Sequence, residues 1–516
     1  MAARFWVGNA AFLGLSNNWN YNTAGVTNWG SASGLIDNVA PPTIADNVTF
    51  NGAGLYGNQN STISATITCL SLTITGGYSG TMTHNAVLTV AGNVTLNTSY
   101  TIAGSSSMTI SAASTINSGG KIWPNNMSFT GNNTKTISTN NLVISGTLTC
   151  STISTTINKT TSETLTIGGL TATNNCLGNI SVTLTGGTWS GATGDVPWDL
   201  TLAGNITISS VSRSGGVMTY SSGIISISGT LTINGSSTFN TPPANMTWAA
   251  VTTTGPTITL TADFKCSGIL SIGAAATFTI NKTSAETFTC AGIAGPGTST
   301  IAGTSTLIFS GGNWASNGSI NISVTFDGNV TLNPSLNICI WAGSLLKYQS
   351  GTVTTTGITL SVITGRTLDT AGISWDTVSI NGSTTLTLNS LLTANTITMG
   401  AISPTFAGTS GFTCATLSCT STVAATISFK ESITYTITSS LSCPSSRVGS
   451  IVLFTSSHAS TKANILMPNN GSNTCNVLAS FTRIDASGGR TINTFNGTLV
   501  DVINIREFHD FQPVAV

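Results

Sequence analysis

The sequence predicts an all-β fold: a right-handed parallel β-helix (β-solenoid) with coils of about 25 residues, capped at both ends. Three observations predict it. Apolar and hydroxyl residues alternate with period two along most of the chain, whole segments recur at multiples of one spacing, and the 3.6-residue period of an amphipathic helix is absent. Runs such as TISATITCLSLTITGG, LVISGTLTC, LTLAGNITIS and VTFDGNVTLN put Ile, Leu and Val on one face of a strand and Thr and Ser on the other. Gly or Asn punctuates each run, as tight turns between short half-buried strands require.

The recurrence sets the architecture. TINKTTSETLTIGGL at 156–170 returns as TINKTSAETFTCAGI at 279–293, and the GGTW ending at Trp189 returns as the GGNW ending at Trp314. Asn205 in LAGNITI matches Asn329 in FDGNVTL, with Asn93 in VAGNVTL a more distant copy. A second series runs through Trp123, Trp198, Trp248 and Trp375, with Ile322 and Cys69 at matching places; its gaps of 75 and 50 share a unit of about 25 residues. A unit of that size is one coil, which pairs its strands with the coils above and below and so satisfies backbone groups that a sheet edge would expose. The matched residues should then form one inward column. Residues 62–444 give room for about 15 coils at roughly 4.8 Å each, and right-handedness follows from the preference of parallel crossovers.

Two ends depart from the repeat. Residues 1–61 are rich in aromatics and Asn (Phe5, Trp6, Phe12, Trp19, Tyr21, Trp29) and carry Pro41 and Pro42 ahead of DNVTF, which reads as an N-terminal cap or attachment region. Residues 445–516 lose the Thr-rich repeat and gather Arg483, Asp485, Arg490, Asp501, Arg506, Glu507 and Asp510, reading as final coils and a cap that could also serve oligomerisation.

Composition narrows the function. There are 15 basic and 15 acidic side chains, 6% of the chain in all, against about 25% in an ordinary soluble domain. With 40% hydrophobic residues the chain is not disordered, and without a basic surplus it is not built to neutralise nucleic-acid phosphates. No apolar run is long enough for a membrane-spanning helix. The opening residues lack the clean apolar core and small-residue cleavage site of a signal peptide, so synthesis and assembly in a cytoplasm are expected.

The ten cysteines contain no C-x-x-C pair, and His84, His458 and His509 are far apart, so neither a metal nor a cofactor is expected. The thiols read as buried and free, with Cys414 and Cys419, five apart, on opposite strand faces. For glycan cleavage two carboxylates must flank one bond, and Asp195 with Asp199, on either side of Trp198, is the pair to test against a turn-forming role. Glu163 and Glu286, each four residues after a lysine (Lys159, Lys282), read as repeated surface ion pairs. Trp189, Trp314 and Trp375 read as core in preference to sugar platforms. The Thr-x-Thr steps suggest an ice-binding array, but uneven coil spacing argues against a strictly repeated ladder.

RFWVG (Arg4–Gly8), the later Asn18-Trp19 and PPTIADNVTF (Pro41–Phe50) resemble the opening of repetitive β-helical virion proteins of tailed bacteriophages. FTRIDASGGRTINTFNGTLVDVINI (481–505) is similar to the closing coils of such proteins, and the Trp and Asn-Val-x-Phe pattern is similar in style to autotransporter-associated β-repeats. The likeness covers about 50 residues at one end and 25 at the other; the second Gly after Gly8 is missing and the insert before Pro41 is longer. It implies a non-enzymatic structural component of a virion, a rigid fibre or tail or capsid appendage displayed extracellularly. It also implies a homotrimer whose partners are other virion proteins, met through the terminal regions, and which contacts host surface glycans. The alternatives are a polysaccharide-degrading tailspike and a bacterial surface adhesin or filament subunit.

Overall fold

The computed structural model describes residues 2–508 apart from 151–153, 174, 243, 245, 274–275, 297–298, 335, 363–364, 382–384, 401–402, 421–423, 444–451, 469–475, 478, 488–491 and 496–498. Cys475, Arg490, His509 and Asp510 therefore lie outside the described residues. The chain is all-β, a parallel β-solenoid of about 19 turns, and it divides into two compact units, residues 1–251 and 252–516.

In the first unit the alternation does what the sequence predicts. Ile67–Cys69, Leu88–Val90, Met108–Ile110 and Met127–Phe129 pair in parallel, one per turn, each with its apolar ends buried and its Thr or Ser between them outward. The inward column Cys69, Val90, Ile110, Phe129, Cys150, Ala172 follows from that register. A second column runs Leu72, Val94, Ile116, Ile137, and a third Trp123, Ile144, Ile167, Leu184, Leu202. In the second unit Phe264, Phe288, Leu307, Val324, Leu346, Leu368 and Leu388 stack the same way.

The turn is shorter than the predicted 25 residues: it averages about 21. Trp123 to Leu202 takes four registered steps, of 21, 23, 17 and 18 residues. The 75-residue gap from Trp123 to Trp198 therefore holds about four turns, where dividing by a common factor gave three. The single column predicted for the second tryptophan series also separates. Cys69 and Trp123 stand in different columns, and Trp375 heads another with Ala394, Cys414 and Ile437. The first repeat holds: Trp189 follows Leu170 by one turn as Trp314 follows Ile293.

Among the described pairings, antiparallel ones occur only near the start: Phe5 with Gly30, Trp6 with Trp29, Asn22 with Thr27 and Thr23 with Val26. There, Ala3–Trp6 and a four-residue helix, Asn9–Phe12, precede an aromatic knot. Trp6, Trp19 and Trp29 surround Phe50, with ring centroids 5.2–5.7 Å from it, and Trp29 Nε1 donates to the Trp19 carbonyl at 2.6 Å. Phe50 ends the strand Asn47–Phe50, which pairs in parallel with Ser71–Ile74. The knot is thus continuous with the first turns. Gly8 sits at φ +61, where a Cβ would lie 2.4 Å from the Tyr56 carbonyl oxygen.

Candidate functional site

The sequence candidates lie at one corner of the first unit. Asp195 ends the strand Gly187–Asp195 and Asp199 opens Asp199–Ala203. Between them Val196 and Trp198 are buried, and Trp198 Nε1 donates to the Leu177 carbonyl at 3.1 Å, so the intervening turn is anchored one coil back. Asp195 Oδ1 accepts from the Ser212 hydroxyl and from Asn234 Nδ2 (2.9 Å), and the Asp195 amide donates to Asn175 Oδ1 at 3.2 Å. Asn175, Asp195, Ser212 and Asn234 come from successive turns, so the carboxylate sits in a polar ladder along the corner. Asp199 Oδ1 accepts the Val217 amide at 2.9 Å, again one turn on.

A residue that the sequence reading passes over completes this corner. Arg213 is fully buried, and its Nη2 donates to the carbonyls of Trp198 (3.1 Å) and Gly215 (2.7 Å), while Nε and Nη1 have no hydrogen-bond partner. Burial pulls the guanidinium down to about 10, and the Asp199 charge opposes that shift. Asp199 is thus close enough to bias the Arg213 charge, though no ion pair joins them. At the surface the corner offers the exposed Asp199 carboxylate, which can accept hydrogen bonds from a hydroxyl-rich group; Arg213 faces the interior and Asp195 is committed to the ladder.

Two other basic side chains are buried among the described residues of the same unit. Lys135 has no exposed surface, and its Nζ donates to the carbonyls of Ala112 (2.6 Å) and Thr130 (3.0 Å) and to Asn133 Oδ1. Desolvation brings it down to about 8. His84 lies edge-on to Trp123, centroids 4.9 Å apart, and neither ring nitrogen has a hydrogen-bond partner. Burial pushes it to about 4, so it is neutral near pH 7. The signal for all three was in the sequence: each stands at the inward parity of its run, as in Met82-Thr83-His84, Lys135-Thr136-Ile137 and Val211-Ser212-Arg213.

The repeated glutamates are turn caps. Glu163 accepts from the Thr161 amide (2.7 Å), the Thr160 hydroxyl (2.8 Å) and, a turn away, the Thr139 amide (2.9 Å); these donors hold its carboxyl at about 2. Glu286 accepts from the Ser284 amide (2.6 Å) and the Thr283 hydroxyl (3.1 Å), and is likewise held below the usual range. Among the described residues the ion pairs are Arg4–Asp46, Lys430–Glu431 and Lys462–Asp501, so the predicted Lys159–Glu163 and Lys282–Glu286 pairs do not form.

The outward surface is ordered to a degree the spacing of the repeats hides. Thr68, Thr89, Thr109, Ser128, Thr149 and Thr171 are register partners through six consecutive turns. In the second unit Thr359, Thr377, Thr396 and Thr416 form one row, and Ser361, Ser379, Thr398 and Ser418 another, two residues along. Turn length varies in the loops while the strands keep register, so uneven spacing does not break a ladder. On another face Asn47, Thr49, Ser71, Thr73, Asn93 and Thr95 line an open groove of about 500 Å³. Trp189, Trp314 and Trp375 are at most 1% exposed and belong to the core.

Among the described residues no group of three or more His, Cys, Asp or Glu is placed to hold a metal, and no helix is long and apolar enough to cross a membrane. Comparison with known proteins finds no matching family model, no similar curated protein and no similar solved structure.

Proposed function

We propose that this chain is a non-enzymatic structural component of a bacteriophage virion, a rigid β-helical fibre or appendage that displays a hydroxyl-rich surface to host glycans. The observation that carries the reading is the register: inward apolar columns and outward Thr/Ser rows repeat turn after turn with almost no charge. Such a stack pairs its backbone amides between turns and offers proteases few open segments. Its extended uncharged face suits weak contacts with hydroxyl-bearing polymers that gain strength when copies are linked. In this reading residues 1–61 and 445–516 close the ends and join the chain to other virion proteins, in a homotrimer of right-handed coils. Mass spectrometry of purified particles tests it: the chain should co-purify with capsid and portal proteins at a fixed copy number. Its appearance in a bacterial surface fraction without them would favour an adhesin.

The Asp195–Asp199–Arg213 corner favours a second reading, a tailspike that cleaves a surface polysaccharide. Release of reducing sugar from host capsule, lost in Asp195→Asn and also in Asp199→Asn with the fold retained, would establish it in place of the first.

A further inference from the structure

Cysteines that are distant in sequence meet between turns. Ser418 is the register partner of Ser442, and the residue that follows each is a cysteine, Cys419 and Cys443. Parallel neighbours lie about 4.8 Å apart, within the Cα separation of about 4.4–6.8 Å that a disulfide spans. The strand Phe412–Cys419 alternates inward at Cys414, then carries two non-buried residues, Ala415 and Thr416, before Leu417 and Cys419. That break in alternation turns Cys419 inward alongside Cys414, where strict parity had put them on opposite faces. The neighbouring Cys419 thiol, together with burial, raises that of Cys443 above its ordinary range.

Two features set this pair apart. Cys443 is the only half-buried cysteine among the described residues; the other eight are buried. It also stands just past the end of its strand, Thr434–Ser442, so ladder hydrogen bonds do not fix its Cα. Cys266 and Cys290 also follow a registered pair (Lys265 with Thr289), but both lie within strands and have no exposed surface. Cys150 and Cys176 are also close enough to influence each other's ionisation, yet Cys150 is registered with Ala172 and Cys176 with Thr155.

We infer that Cys419 and Cys443 are a redox-responsive pair that closes into a turn-to-turn disulfide under oxidising conditions, stapling the coil that begins at Cys419. The balance is simple. With oxidised glutathione, the Cys443 thiolate attacks one glutathione sulfur and expels the other as thiolate, which takes up a proton. Cys419, as thiolate, then attacks the Cys443 sulfur and expels the second glutathione. Two protein thiols lose two electrons and two protons, and one oxidised glutathione becomes two reduced ones. Because the thiols are shielded and their ionisation is suppressed, closure should be slow. The inference does not depend on the virion reading.

The test uses the full folded chain, incubated with oxidised glutathione and then denatured in acid with a thiol-trapping maleimide. Chymotrypsin cuts after Leu417 and so separates Cys414 from Cys419. A cross-linked peptide joining Cys419 to Cys443, lighter by two hydrogens than the separate peptides, is expected, with Cys266 and Cys290 trapped as thiols. Cys290→Ser should leave the cross-link intact, and Cys443→Ser should abolish it. Amide exchange in Thr434–Ser442 should slow about tenfold on oxidation. Cys443 recovered as free thiol, as a stable glutathione adduct or joined to Cys475 would each overturn the inference.

Discussion

Replacing Phe288 by Ala tests the solenoid at its core. Phe288 has no exposed surface; it stacks on Phe264 with ring centroids 4.9 Å apart, and its register partner on the other side is Leu307. Deleting a buried phenyl ring costs about 3–5 kcal/mol in transfer and cavity terms, of which the stacked pair accounts for about 0.5–1.5 kcal/mol. In a stack where each turn touches only its neighbours, that loss should stay local. Hydrogen exchange followed by mass spectrometry reads it directly. At about 1.4 kcal/mol per tenfold, amides of Phe264–Cys266, Thr287–Cys290 and Thr306–Phe309 should exchange roughly a hundredfold to several thousandfold faster. The strand Phe412–Cys419, in the same unit but on another sheet and several turns further on, should be unchanged. Equal acceleration along the whole second unit would mean it unfolds as one cooperative body, and the nearest-neighbour account would fail.

Glu163→Gln should remove part of the acid sensitivity of the first unit. A carboxylate held at about 2 contributes stability that is complete above its ordinary value near 4.5 and fades as pH falls towards 2, so circular dichroism of the variant should show a flatter profile across that window. Gly8→Ala should loosen the aromatic knot, because the new methyl meets the Tyr56 carbonyl oxygen at 2.4 Å in a left-handed backbone; limited proteolysis should then cut within residues 1–61 and leave the turns intact. Trp248→Asp should abolish soluble expression, since the indole is fully buried and the site would hold an unpaired charge. A soluble, protease-resistant Trp248→Asp protein would place that residue outside the core.

Parallel pairing, inward apolar columns and the buried tryptophans were legible because period-two alternation maps directly onto which face of a strand is covered. The length of a turn was not. Among the described turns after Asn47, registered steps range from 13 residues, as from Ile492 to Ile505, to 30, as from Tyr435 to Ile465, so a common divisor of tryptophan gaps had no fixed unit to find. Corners escaped for the same reason: at Ala415–Thr416 two non-buried residues in a row reverse parity, and nothing in the composition of that stretch marks it. At the candidate site the sequence supplied Asp195 and Asp199, which carry their charge openly, and missed Arg213, whose charge sits where an apolar residue was expected. The turn-cap role of Glu163 escaped because two of its donors, at Thr161 and a turn away at Thr139, are backbone amides, which every residue type but proline provides.

The buried cations make sense as register pins. A stack of parallel turns coated in Thr and lined with Ile, Leu and Val is nearly degenerate, since slipping one strand by two residues restores an apolar interior. Lys135 breaks that degeneracy. Its ammonium reaches the Ala112 carbonyl in the preceding turn together with Thr130 and Asn133 in its own, and a slip would leave it desolvated without those acceptors, at a cost of several kcal/mol. Arg213 does the same between Trp198 and Gly215. Lys135→Met should therefore keep or raise thermal stability while broadening the population of registers, seen as heterogeneous exchange in Thr134–Ile137 and Ser114–Asn117. Equally uniform exchange in the variant and the parent would show that apolar shape alone fixes the stack.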